Sequence, residues 1–75
     1  MNKTSSIKKI LAKNVKYLRE KNNLTIKELS HISGISTSFL TKIENMQTKG
    51  LLLSHLEALS TAFKISVKEL LNHQG

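Results

Sequence analysis

The residues best suited to binding chemistry lie between positions 37 and 45, where hydrogen-bonding side chains recur at helical spacing. On a helix that turns by about 100° per residue, four of them lie opposite the apolar pair Leu40 and Ile43, and a fifth lies to one side. The set is Thr37, Ser38, Thr41, Lys42 and Asn45. None of them is acidic, so the face can donate hydrogen bonds without repelling an anion. A solvated helix surface is the alternative for each of them.

Positive charge is concentrated in the N-terminal third of the chain. The 75 residues carry a formal net charge of +7. Residues 1–27 account for all of it, with seven lysines and Arg19 against Glu20, whereas residues 28–75 have four lysines and four glutamates. Such a patch can neutralise phosphates and release counterions from a nucleic acid. On charge alone, a solvated lysine-rich helix explains the excess equally well.

Helical periodicity dominates the chain and predicts an all-α fold of five short helices around one core. The first helix, about residues 6–22, has an apolar stripe of Ile7, Leu11, Val15 and Leu18. Its opposite side carries Lys9, Lys13, Lys16 and Glu20. Asn23 follows where a chain leaving a helix commonly turns left-handed. We expect a single domain over residues 1–75, with residues 1–6 as a flexible arm.

Two tightly joined helices follow, and capping residues mark their ends. Thr25 and Glu28 predict a capping box at the start of the second helix. Gly34 ends that helix, and Ser36 can cap the third, about residues 37–45. The residues expected to face the core from these two helices are Leu29, Ile32, Leu40 and Ile43.

A loop and two further helices complete the predicted fold. The fourth helix carries an apolar stripe of Leu53, Leu56, Leu59 and Phe63. Its start is open between Gly50 and Ser54, since Ser54 and Glu57 have the spacing of a second capping box. Ser66 and Glu69 have the same spacing and predict the start of a short last helix.

The composition argues against an enzyme, a metal site and a membrane span. Aspartate and cysteine are absent, and the three glycines form no phosphate-binding loop. Glutamates and histidines are not paired for acid–base work, and the three histidines lie too far apart to share a metal. No apolar run approaches the roughly 20 residues of a membrane helix. We therefore expect no catalytic residue, metal, cofactor or small-molecule ligand.

The order of these features resembles the Cro/Xre-type family of phage-repressor-like helix-turn-helix domains. Two short helices joined by a tight turn that begins with glycine are the helix-turn-helix arrangement. The resemblance covers about residues 11–71, and its motifs are LTIKELS at 24–30, GIS at 34–36, LTKIEN at 40–45 and AFKISVKELL at 62–71. It implies a lambda-repressor-like domain with the helix-turn-helix at about 25–45. In that family the third helix enters the major groove of DNA.

The resemblance also implies roles for individual side chains. The DNA-binding residues would be Thr37, Ser38, Thr41, Lys42, Asn45 and Lys27. Hydroxyl groups discriminate weakly among bases. Lys42 is the side chain of the set long enough to reach a guanine, and Asn45 and Lys27 are assigned to phosphates. Arg19 and Glu44 match an arginine and a glutamate that often form an internal ion pair in this family. We therefore expect them to stabilise the fold rather than to bind DNA.

The sequence departs from the family pattern at four positions. Ile26 stands where relatives commonly have a glutamine that bonds phosphate and braces the third helix. Met46 replaces a glycine that usually closes the third helix, and Leu51 and Leu52 replace a Pro-Ser type of start before the fourth. Dimers in the family often form through the fourth and fifth helices. We therefore expect an apolar dimer surface near Leu51, Leu52 and the last helix.

The function implied is a sequence-specific, DNA-binding transcriptional regulator, expected to be a cytoplasmic, nucleoid-associated repressor that binds a palindromic operator as a homodimer. The alternative is a helix-turn-helix scaffold used mainly for protein–protein interaction, as an antitoxin-like or anti-repressor partner. Ile26 and the extra leucines favour this alternative, and the acid-free face of the third helix opposes it. The sequence does not distinguish a phage repressor, a Cro-like switch and a restriction–modification controller.

Overall fold

Five helices follow one another in the order that the sequence predicts. The computed structural model describes the backbone of residues 3–72 and the side chains of residues 7–72. The helices are α1 (Lys3–Lys21), α2 (Ile26–Ser33), α3 (Thr37–Glu44), α4 (Leu53–Phe63) and α5 (Val67–Leu70). Within this range no helix is both long enough and apolar enough to cross a membrane. The predicted all-α class is confirmed.

The start of α1 differs from the prediction. The helix begins at Lys3, so residues 3–6, expected in a flexible arm, have helical backbone. Residues 1 and 2 of the expected arm lie outside the described residues. At its other end, Asn23 has a φ of 56°, the left-handed conformation that the sequence predicted after the helix.

Local hydrogen bonds set the ends of α2 and the start of α3. Thr25 Oγ1 accepts the N–H of Glu28 at 3.0 Å, and the Glu28 carboxylate accepts the N–H of Thr25 at 2.8 Å. Gly34 ends α2 with a φ of 78°, a conformation that a side chain would disfavour. Ser36 Oγ then accepts the N–H of Phe39 at 3.1 Å and opens α3. Both predicted caps are confirmed.

The start of α4 is different from either predicted start. Its N-cap is Leu52, rather than Gly50 or Ser54. The N–H of Leu52 is accepted by Nδ1 of His55 at 3.0 Å. The imidazole thus takes the place that a glutamate or glutamine has in a capping box. Leu52 has no polar side chain, so the reciprocal bond of the box is missing.

Apolar side chains from all five helices meet in one core. The fully buried members are Leu11, Val15, Leu29, Leu40, Ile43, Leu59 and Leu70. Three residues expected to face the core are largely exposed instead: Ile7 at 43%, Ile32 at 53% and Leu53 at 63%. Each lies toward an end of its helix, where the neighbouring helices no longer cover the apolar side.

An ion pair joins α1 to α3. Arg19 donates from Nε to one Glu44 oxygen at 2.8 Å and from Nη2 to the other at 3.2 Å. Its Nη1 donates to the carbonyl of Leu24 at 2.9 Å. The side chains are only 15% and 10% exposed. The hydrogen bond to Glu44 raises the pKa of Arg19 against the opposing effect of burial. The internal pair implied by the family resemblance is confirmed.

A buried asparagine attaches α5 to α1. Nδ2 of Asn14 donates to the carbonyl oxygens of Leu70 at 2.7 Å and Asn72 at 2.6 Å. Asn14 is 4% exposed. Carbonyls at the end of a helix have no partner farther along it, so this amide satisfies them. At the other end of α5, Ser66 and Glu69 form the predicted capping box.

Replacing Glu44 by alanine is expected to lower the free energy of unfolding by about 1–3 kcal/mol, because it leaves the part-buried Arg19 guanidinium without its carboxylate. Urea unfolding followed by circular dichroism measures this loss. Glu57→Ala, which removes an exposed glutamate of α4, should change stability by less than about 0.5 kcal/mol. Equal effects of the two substitutions would show that the ion pair does not hold α3.

Replacing Asn14 by alanine is expected to lower the free energy of unfolding by about 1–3 kcal/mol, since the carbonyl of Leu70 then loses its donor in a buried place and that of Asn72 in a part-buried one. The same urea titration applies. Asn22→Ala is the matched control, because Asn22 makes a similar amide-to-carbonyl bond to Leu18 at 2.7 Å in an exposed position. Its loss should be smaller, and a loss as large as that of Asn14→Ala would contradict the role given to burial.

Candidate nucleic-acid interface

The polar residues of α3 form one exposed face. Leu40 and Ile43 point into the core at 0% and 2% exposure. The residues on the outer side are Thr37, Ser38, Thr41, Lys42 and Asn45, and all five are exposed. The structure therefore brings together five of the six residues that the sequence selected. The sixth, Lys27, is exposed on α2.

One hydroxyl of this face has a restricted role. Thr41 Oγ1 donates to the backbone carbonyl of Thr37 at 2.9 Å. Because its proton is used within the helix, the oxygen of Thr41 can act toward a ligand only as an acceptor. Lys42, on the next residue, offers three donors and no acceptor. Neighbouring positions of the face therefore present complementary hydrogen-bonding chemistry.

The C-terminal end of α3 takes an uncommon conformation. Asn45 caps the helix, and its N–H donates to the carbonyl of Thr41 at 3.1 Å. Met46 follows with a φ of 57°. A side chain in this left-handed conformation costs roughly 1–2 kcal/mol, which explains why a glycine suits the position. The departure at Met46 therefore keeps the backbone turn at some cost in stability.

The start of α2 differs from the family pattern in its chemistry. Ile26 is half-buried and packs against the core. It therefore contributes apolar contact where a glutamine would offer hydrogen bonds. Lys27 lies one residue later and lines a surface groove with Glu28 and Ile32. The carboxylate beside Lys27 reduces the positive potential that this part of α2 can offer to a phosphate.

A contact between two rings supports α3 from the side. The ring centroids of Phe39 and His55 are 4.4 Å apart, and the ring planes are inclined by 32°. Both residues are half-buried. The contact joins α3 to the first turn of α4. Helical periodicity could not have revealed it, because it depends on how two separate helices approach.

Positive side chains cover the outer side of α1. Lys9, Lys13 and Lys16 are exposed as predicted. Nζ of Lys21 lies 5.8 Å from the ring centroid of Tyr17, within range of a cation–π contact. In the part of the chain whose side chains are described, no three histidine or carboxylate groups are placed to hold a metal ion.

An apolar groove lies at the start of α4. Leu52 is 58% and Leu53 is 63% exposed. The groove has a volume of about 430 Å³, and its lining is Ile7, Lys8, Gly50, Leu51, Leu52, Leu53 and Leu56. The apolar surface expected near Leu51 and Leu52 is thus present. Its other wall belongs to α1. The dimer surface expected near Leu51, Leu52 and the last helix stays a prediction.

Two solved structures have the same fold. An HTH_3 family transcriptional regulator from Vibrio cholerae superposes with a TM-score of 0.81 at 20% identity, over 88% of this chain and 36% of that chain. A hypothetical transcription factor, NHTF, from Neisseria superposes with a TM-score of 0.82 at 21% identity, over 89% of this chain and 76% of that chain. At these identities the likeness is one of fold.

Sequence comparison gives the closer relationships. Control protein C.SmaI from Serratia marcescens is 39% identical over 69 residues, which cover 92% of this chain and 81% of that protein. Residues 14–75 match the family model of the Cro/C1-type HTH DNA-binding domain. This match includes α2, α3 and the polar face described above. The chain therefore belongs to the Cro/C1-type family of helix-turn-helix DNA-binding domains.

Proposed function

We propose that the protein is a sequence-specific transcriptional regulator that binds a two-fold symmetric DNA site as a homodimer, with α3 in the major groove. The observation that carries the proposal is the outer face of α3. It presents hydrogen-bonding side chains, includes no free carboxylate, and belongs to a domain of a DNA-binding family. Base edges in the major groove carry the donor and acceptor pattern that such side chains can read.

The side chains of α3 would divide the reading of bases between them. Thr37 and Ser38, in the first turn, would approach one base step, and Lys42 would approach another about one turn later. Lys42 is suited to the O6 and N7 acceptors of a guanine. Thr41 would accept from an exocyclic amine or contact a thymine methyl group, since its own proton is used by Thr37.

Phosphate contacts would come from residues near the ends of the helix-turn-helix. The net positive charge would add a long-range attraction to DNA. We assign Asn45 and Lys27 to the DNA backbone, with Asn45 at the exposed end of α3. The net charge of +7 favours association with DNA at any sequence. The bidentate bond to Arg19 occupies the Glu44 carboxylate, so the one acidic side chain of α3 does not oppose a phosphate.

The relationship to a control protein bears on the biological role. Among the three roles that the sequence leaves open, 39% identity to control protein C.SmaI favours the controller. We infer that the regulator represses by occupying a palindromic operator in the cytoplasm. The same binding would require both copies of a dimer, because half-sites one helical turn apart need two α3 helices about 34 Å apart.

The groove at the start of α4 is the surface that we assign to the dimer. Exposed leucines side by side are costly in water, and burying one stabilises a complex by about 1.5–3 kcal/mol. Leu52, Leu53 and Ile7 are more than two-fifths exposed and line or adjoin one groove. In a two-fold symmetric dimer, the groove of each copy would be covered by the same groove of the other copy.

Replacing Lys42 by alanine is expected to relax the preference for one base pair in each half-site by about 1–3 kcal/mol, because the guanine loses its donor. Selection from random duplex pools at near-physiological salt, followed by sequencing, measures this preference. Lys13→Ala removes the same charge from the outer side of α1 and should leave every base preference unchanged.

If neither the parent protein nor either variant enriches any sequence, and weak binding disappears as salt rises, the positive charge gives only a non-specific attraction to DNA. The proposal of specific DNA reading then fails. A scaffold for protein–protein interaction becomes the better account of the chain.

Replacing Leu53 by glutamate is expected to convert a dimer into a monomer, since a charged carboxylate would have to leave water to enter the apolar interface. Glutamate suits the first turn of a helix, so α4 should stay folded. Sedimentation velocity at micromolar concentration measures the state. Ile32→Glu, at a similarly exposed residue of α2, should leave the dimer intact. A parent protein that is monomeric with and without DNA would contradict the assignment.

A further inference from the structure

His55 makes two contacts with two different parts of the fold. Its Nδ1 accepts the N–H of Leu52 at 3.0 Å, at the start of α4. Its ring packs against the ring of Phe39 in α3, with centroids 4.4 Å apart. The imidazole is therefore both a helix cap and a support for the helix that carries the polar face.

The capping bond limits the rotation of the ring. An imidazole nitrogen accepts a hydrogen bond in the plane of the ring, so the bond to Leu52 determines where that plane lies. The face of the ring is then held toward Phe39 at a fixed inclination of 32°. A flexible side chain of similar size would fill the space without defining the position of its neighbour as closely.

Phe39 belongs to the first turn of α3. Its backbone N–H donates to Ser36 Oγ at 3.1 Å. It directly follows Thr37 and Ser38, the exposed residues at this end of the polar face. Movement of Phe39 would therefore move the backbone that carries these two hydroxyl groups.

The other end of α3 has a separate anchor. Glu44, in the last turn, is held by Arg19 through two hydrogen bonds. With this end held, loss of the ring contact at Phe39 would tilt the helix about its C-terminal end. Thr37 and Ser38 would be displaced more than Lys42.

We propose that His55 is a positioning residue that determines base preference at the N-terminal end of α3. It acts through Phe39 and has no contact with DNA of its own. The inference rests on the proposed function, in which α3 reads bases in the major groove. It assigns to α4 a part in specificity that the polar face alone does not reveal.

Two substitutions separate the contacts of His55. His55→Gln keeps an acceptor at the third helical position, where the glutamine side chain can accept the N–H of the N-cap residue, and it removes the ring. His55→Phe keeps an aromatic ring and removes the acceptor. Base preference is measured by selection from random duplex pools, and stability by the midpoint of thermal unfolding. Ser38→Ala and Lys42→Ala identify the base pairs that face the two ends of α3.

His55→Gln is expected to lose about 2- to 10-fold of the discrimination at the base pairs assigned by Ser38→Ala, the fold-change that corresponds to the loss of an aromatic pair. Its unfolding midpoint should fall as well, because the same contact stabilises the fold. The preference assigned by Lys42→Ala should stay the same. His55→Phe should lower the unfolding midpoint through loss of the cap and should lose less discrimination than His55→Gln, since it keeps the ring but not the bond that orients it. Phe39→Leu should repeat the change in preference, and combining it with His55→Gln should add little.

Unchanged preferences in His55→Gln, or a uniform loss of affinity at all sequences, would overturn the inference and leave His55 with a merely structural role. A change of preference that His55→Phe shows equally would overturn it as well. In these cases the parent protein still selects a site, so the proposed function stands. A parent protein that selects no sequence would instead remove the proposed function and this inference together.

Discussion

An ion pair between Arg19 and Glu44, whose side chains are only 15% and 10% exposed, joins the last turn of α3 to α1. The guanidinium donates to both oxygens of Glu44 and to the carbonyl of Leu24, so it joins α1, α3 and the turn before α2 at one point. Breaking this part-buried pair would leave each charge without its counterion, at a cost in stability. In a domain too small for an extensive core, such a directional contact restricts the position and orientation of a helix more than apolar packing alone.

The same ion pair decides the electrostatics of the polar face. Glu44 is the carboxylate within α3, and its negative charge is matched by Arg19 inside the fold. The charge and the hydrogen-bonding groups on the outer side of the helix are therefore those of Lys42 and the hydroxyl side chains. The charge of the first 27 residues adds a long-range positive potential. A contact that stabilises the fold thus also makes α3 compatible with an anionic partner.

Features that depend on a few neighbouring residues were predictable from the sequence. The caps at Thr25, Ser36 and Ser66 join residues three positions apart, and the opposed faces of α3 follow from its own periodicity. A helical pattern gives the direction of a side chain but does not show where the neighbouring helix ends, so the exposure of Ile32 and Leu53 was not predicted. The cap at His55 was missed because it depends on the orientation of one ring.

The first turn of α4 connects the apolar groove with α3. Leu52 lines the groove with its side chain, and its backbone N–H is the group that His55 binds. A second copy seated in this groove would contact the turn that supports Phe39. Coupling between two sites is reciprocal, so DNA that favours one tilt of α3 would favour the assembled form to the same extent. Dimerisation and base recognition would then both depend on the first turn of α4.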